Sequence, residues 1–134
     1  LKDRHIKKCV LATSSKDGKP QAAFMGYAID DDASVILATR RGTRKVKNLR
    51  ENNQVALIFG TKLSEINFQC DGSATIIEEG EKEYPKVKEF FYAKDPQTLL
   101  FKPGETIFIR VKISWVRLTD YSAHPPTTLE GTLS

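Results

Sequence analysis

Between Ile107 and Trp115 the chain alternates in character. Ile107, Ile109, Val111, Ile113 and Trp115 point one way, and Arg110, Lys112 and Ser114 point the other. A period of two puts successive side chains on opposite faces, so this segment predicts a strand with one side on a core. The remaining apolar runs are just as short. Cys9–Ser14, Gln21–Ile29, Val35–Thr39, Val55–Phe59 and Asn67–Glu78 read as five more strands. Turn chemistry separates them: Asp17-Gly18-Lys19-Pro20, Asp30-Asp31-Asp32 and Phe101-Lys102-Pro103-Gly104. Gly72, inside the fifth run, marks a bulge or bend of the kind that turns a barrel corner.

Two segments carry the helical period instead. Arg44–Glu51 has Val46 and Leu49 three apart, with Thr43 as N-cap. A second helix starts near Pro85, with Tyr84, Val87, Phe90 and Phe91 at helical spacing and the acidic run Glu78–Glu83 at its start. Strands joined by hairpins, with two or three short helices, predict a mainly β, antiparallel barrel. No β-α-β alternation calls for a parallel sheet. The 134 residues form one domain over residues 1–121, and residues 122–134, with Pro125-Pro126, form a tail or arm.

The charge pattern narrows the partner. The net charge of +4 is too small to imply nucleic acid, and the strands lack exposed aromatic pairs on which bases stack. Residues 1–50 hold twelve of the 21 cations against five acids, and Arg40–Arg50 has six cations and no acid. Such a local excess points to a local anion. No apolar run reaches the roughly 18 residues that span a bilayer, and no charged-then-apolar leader opens the chain. The expected setting is cytoplasmic, with Cys9 and Cys70 as reduced thiols.

The chemistry concentrates in Thr39-Arg40-Arg41-Gly42-Thr43-Arg44-Lys45. If Thr43 caps the helix, Arg44 and Lys45 sit in its first turn, where the N–H groups already make the end positive. Two hydroxyls, free N–H groups and two cations suit a phosphate. The same residues also suit a solvated basic face, and spacing alone does not separate the two. Other chemistries have little material. His5 and His124 lie at opposite ends of the chain, so neither a metal site nor a Ser-His-Asp relay is expected. Ser14-Ser15 lacks the glycines of a nucleophile elbow, and Asp30–Asp32 lacks the spacing of a calcium loop. Trp115 reads as a core residue.

The series Leu11-Ala12-Thr13-Ser14, Asp17-Gly18-Lys19-Pro20, Val35–Thr39, Thr43-Arg44-Lys45, Asn48-Leu49, Glu51-Asn52-Asn53 and Val55-Ala56-Leu57 resembles the FMN-binding split barrel of pyridoxamine 5′-phosphate oxidase-like proteins. The resemblance covers about residues 8–79 and extends to the last strand. It implies a six-stranded Greek-key split barrel that forms a homodimer, with FMN in a cleft between subunits. The cofactor-binding positions it implies are Ala23, Phe24 and Met25 along the flavin ring, Ala38 and Thr39, then Thr43, Arg44 and Lys45 at the phosphate. Asn67 stands where the family has a glutamine near the ring.

The departures from the family pattern concern the substrate. The oxidase has an arginine where this chain has Ala23 and a substrate-binding lysine where it has Ala28. It also has an Arg-x-His pair near its C-terminus, whereas His124 here precedes Pro125. The resemblance therefore implies a flavin-dependent oxidoreductase acting on a small substrate other than a B6 vitamer. A non-catalytic flavin- or haem-binding module, or a deazaflavin (F420)-dependent reductase, are the alternatives. A dimer would cover the second faces of the runs Val35–Ala38 and Val55–Phe59; helices of the same chain are the other possible cover.

Overall fold

One long strand holds the sheet closed. The computed structural model describes residues 7–60, 66–94 and 104–133. Its elements run β1 (Lys8–Ser14), β2 (Pro20–Ile29), β3 (Val35–Arg40), α1 (Arg44–Glu51), β4 (Gln54–Phe59), β5 (Ile66–Ile77), α2 (Tyr84–Lys94), β6 (Thr106–Asp120) and β7 (Thr127–Thr132). The strands pair antiparallel in the order β3-β2-β1-β4-β5-β6-β7. β6 also pairs with β3, from Val35↔Val111 to Arg40↔Thr106, and that second pairing closes six strands into the expected barrel. His5 and most of the Phe101–Gly104 turn lie outside the described residues. Among the described residues, no helix is long and apolar enough to cross a membrane.

The inward row of each strand makes the core. Leu11, Leu37, Leu57, Ile109 and Val111 are at most 3% exposed and share one cluster with Cys9, Met25 and Cys70. Each such aliphatic side chain contributes roughly 1.5–3 kcal/mol by leaving water. α1 closes one end of the barrel with Leu49, which belongs to the same cluster. α2 lies outside the barrel. Its Tyr84, Val87 and Phe91 pack on Ala28, Ile36, Ile77 and Phe108, the outward residues of β2, β3, β5 and β6. The Tyr84 hydroxyl donates to the Thr106 carbonyl at 2.8 Å and fixes the helix to β6.

Four sequence expectations change. First, the segment expected as a tail or arm supplies a seventh strand: Thr127–Thr132 pairs with β6 from Asp120↔Thr127 to Trp115↔Thr132, largely exposed. Second, Trp115 does not continue the core row of β6. The register slips between Asp71 and Gly72, so Gly72 faces Ile113 while Asp71 faces Trp115. The extra residue, Ser114, reverses the alternation. Val116 then packs against the core, and Trp115 sits on the outer face beside Val10, Ala12, Ala56 and Ile58. Third, the two apolar runs differ in their cover. The outward Ile36 of β3 is 1% exposed under α2, whereas the outward Ile58 of β4 is 36% exposed. Fourth, Glu78–Glu83 is a turn ahead of α2 and not its first helical turn, which holds no acid. There Glu81 accepts the Glu78 N–H at 2.7 Å, and Glu83 pairs with Arg110 at 2.8 Å.

Candidate functional site

α1 starts where the sequence predicts, at Arg44, after Thr43 in an extended conformation (φ −78°, ψ 159°). The Thr43 side chain caps no helix N–H; its hydroxyl donates back to the Arg40 carbonyl at 3.2 Å. The first helical bond runs from the Lys47 N–H to the Thr43 carbonyl, so the N–H groups of Arg44, Lys45 and Val46 precede the ladder. No acidic side chain occupies the first turn. No ion pair between described residues involves Arg40, Arg41, Arg44, Lys45 or Lys47. Burial, and then the charge of Arg40, hold the Lys45 ammonium below the usual lysine value of 10.5. A helix end that is positive by its dipole therefore carries two further, unneutralised cations.

The strand beside it has an open edge. β2 pairs with β3 only from Tyr27↔Leu37 to Ile29↔Val35, while β1 covers its other edge from Pro20 to Gly26. The Tyr27 N–H donates to the Lys7 carbonyl at 3.0 Å, on the β1 side. Backbone groups alternate sides along an antiparallel strand. Ala23 and Met25 therefore turn theirs toward β1, and Ala22 and Phe24 turn theirs toward the edge that β3 has left. Beyond Leu37, β3 pairs with β6 alone and leads through Arg40 into α1. An unpaired backbone edge and an uncapped cationic helix end thus flank the same divergence of β2 from β3.

The expected residues are gathered unevenly. Thr39, Thr43, Arg44 and Lys45 follow one another from the end of β3 into α1. Thr39 is 4% exposed on the inward row with Leu37 and Ile107, and Ala38 faces outward against the α2 cluster. The side chains of Ala23 and Met25 pack on the core, while Phe24 is 78% exposed. Asn67 stands apart. It lies opposite Thr119 near the start of β5, three strands from β2 around the barrel. Ala22, outside the expected set, turns its backbone to the open edge as Phe24 does. Counting the strand alternation from the turn at Gly18 is the signal that finds it.

A second feature concerns Ala28, which the resemblance sets where the oxidase has a lysine. It is 4% exposed and packs under α2 in the cluster of Phe91 and Phe108.

The sequence pattern of the pyridoxamine 5′-phosphate oxidase family matches residues 4–120. The chain belongs to that family. Pyridoxine/pyridoxamine 5′-phosphate oxidase from Trichormus variabilis is 29% identical over 90 residues, covering 67% of this chain and 40% of the oxidase. This family member thus matches well under half the length of that relative. Among solved structures, a pyridoxamine 5′-phosphate oxidase-related, FMN-binding protein from Nostoc punctiforme superposes with TM-score 0.69 at 9% identity, over 96% of this chain and 87% of that one. A haem-binding protein from Mycobacterium smegmatis superposes with TM-score 0.75 at 13% identity, over 96% and 54%. At these identities the likeness is one of fold. The same barrel thus occurs in an FMN-binding protein and in a haem-binding one, and the fold by itself assigns no cofactor to this chain.

Proposed function

We propose that this protein binds FMN at the divergence of β2 and β3 and acts as a flavin-dependent oxidoreductase on a small substrate. The observation that carries the reading is the start of α1, which has no side-chain cap, no acid in its first turn, and Arg44 and Lys45 beside it. A phosphate dianion satisfies the orphan N–H groups and relieves the crowding of Lys45 and Arg40 together. Backbone donors and acceptors of Ala22 and Phe24, unpaired on the β3 side, suit the polar edge of a flat heterocycle. When bound, the flavin supplies hydride or electron transfer at its own ring. The protein's part is to hold the phosphate, orient the ring and shield it from water.

A second copy of the chain supplies that shield in this reading. The outer face of the barrel carries two rows that are mostly apolar. One runs Phe24–Val10–Ile58–Gln69, and the other runs Ala22–Ala12–Ala56–Asp71–Trp115. Phe24 and Ile58 are exposed large hydrophobics within it. A two-fold partner laid on this face is contiguous with the open edge of β2 and forms two equivalent clefts.

Arg44→Ala with Lys45→Ala tests the phosphate assignment. Each aligned charge-assisted bond is worth about 1.5–3 kcal/mol, so FMN affinity should fall at least tenfold while riboflavin affinity changes little. Fluorescence titration of both ligands reads the result, and unchanged FMN binding overturns the assignment. The absorbance spectrum of the purified protein separates flavin from deazaflavin and haem. Sedimentation equilibrium tests the partner: a monomer that still binds FMN rules out the interfacial cleft.

A further inference from the structure

The two ends of the barrel are not alike. α1 fills one with Leu49, whereas the other opens into an apolar cup of about 410 Å³. Tyr27, Phe59 and Phe68 form one side of its wall as a chain of edge-on rings, with centroids 4.8 and 6.0 Å apart. Val116 lines the cup from β6, the buried Cys70 lies in its depth, and the half-exposed Leu133 stands at its rim. The Leu133 N–H donates to the Ser114 carbonyl at 2.8 Å, so the end of the C-terminal strand is fastened where it meets the cup. Among the described residues no charged side chain lines it.

We propose that this cup is a second binding site, separate from the cofactor site, for a small uncharged molecule with two or three fused or linked rings. Size comes from volume. An apolar cavity of about 150 Å³ accepts one benzene, and the cup is between two and three times that. Lack of charge comes from the wall, because an ion placed here loses its water and gains no partner. Ring character comes from the aromatic chain, whose perpendicular rings present both faces and edges to a flat guest. The thiol of Cys70 and the hydroxyl of Tyr27 both stay protonated at neutral pH, since burial raises the value of each, so neither supplies a charge. The proposal does not depend on FMN. The cup lies at the end of the barrel away from α1.

N-phenyl-1-naphthylamine, uncharged and fluorescent in apolar surroundings, is the probe. The expected result is saturable binding of one molecule per chain. Its sulfonated counterpart, 8-anilinonaphthalene-1-sulfonate, should bind at least tenfold more weakly. Val116→Trp, which fills the cup, should weaken the neutral probe at least tenfold. Leu133→Asp, at an exposed position outside the six strands of the barrel, should weaken it at least threefold. Phe24→Ser, on the outer face, should leave it unchanged. FMN titration of Leu133→Asp should match the parent, which separates failure here from failure of the cofactor reading. No saturable binding, equal affinity for the two probes, or loss with Phe24→Ser but not with Leu133→Asp overturns the proposal.

Discussion

The Asn48 side-chain amide donates to the Thr13 hydroxyl at 3.0 Å, and both residues are 4% exposed. The bond joins α1 to β1 across 35 residues and fastens the helix whose first turn carries Arg44 and Lys45. Removing one partner leaves the other buried and unsatisfied. Asn48→Ala should therefore cost about 1–3 kcal/mol in urea denaturation. The double variant Thr13→Val with Asn48→Leu should lose less than the two single changes add up to, because no polar group is then stranded. Additive losses would show that the bond contributes nothing.

Under the proposed FMN binding, Lys45 sets affinity against stability. Its folded value lies below the ordinary lysine value, so protonation opposes folding. That penalty is present below the lowered value and fades as pH climbs to 10.5. Lys45→Met removes it, with helix propensity nearly unchanged. Thermal denaturation of the FMN-free variant at pH 7 should show a gain of about 0.3–1 kcal/mol. FMN binding by the same variant should weaken. A less stable variant would contradict the electrostatic account.

Gly72 is required for close approach. A Cβ built there would stand 2.6 Å from the Lys112 carbonyl oxygen and 2.8 Å from a Val111 methyl. The carbonyl is backbone in a paired strand and cannot swing away. Gly72→Ala should cost about 3 kcal/mol, at the upper end of overpacking effects, as measured by urea denaturation. Gly18→Ala, with open space around it but a φ of +87°, should cost less. The reverse order would be evidence against the bulge as the source of the constraint.

The thiols give an alkaline signature. Burial, and then Cys70, push Cys9 up to about 12; burial, and then Asp71, push Cys70 up to about 11, both from 9.0. Above pH 9 the unfolded chain releases thiol protons that the folded chain keeps. Stability is therefore full below pH 9 and falls as pH rises toward 11 and 12. The urea midpoint should drop between pH 9 and 11, and Cys70→Ala should flatten the drop. An equally steep fall in the variant would assign it to other groups.

The packing of Ala28 bears on substrate choice. Its place under α2, 4% exposed, offers no oriented charge at the position the resemblance matches to the oxidase's lysine. The FMN-loaded protein should therefore not turn over pyridoxamine 5′-phosphate or pyridoxine 5′-phosphate efficiently. Ala28→Lys should fail to restore turnover and should instead destabilise the fold, because it drives a cation into the Phe91–Phe108 cluster. Robust turnover by the parent, followed in an oxygen electrode, would return the oxidase activity to this chain.

Local pattern was sufficient for much of the molecule. The helix Arg44–Glu51 and the short strands are legible because each depends on neighbours a few residues away. The cationic start of α1 is legible for the same reason: dipole and charge both lie within Thr43–Lys45, although the Thr43 hydroxyl turns back to Arg40 and does not cap. Register and closure depend on distant segments, and no local period encodes them. One extra residue opposite Gly72 sends Trp115 to the outer face, although its own spacing assigns it to the core. The apolar runs of β3 and β4 look alike in sequence, yet α2 reaches only the first. The cup at the barrel mouth exists only because β6 closes the sheet and so brings Tyr27, Phe59, Phe68 and Val116, far apart in the chain, around one space.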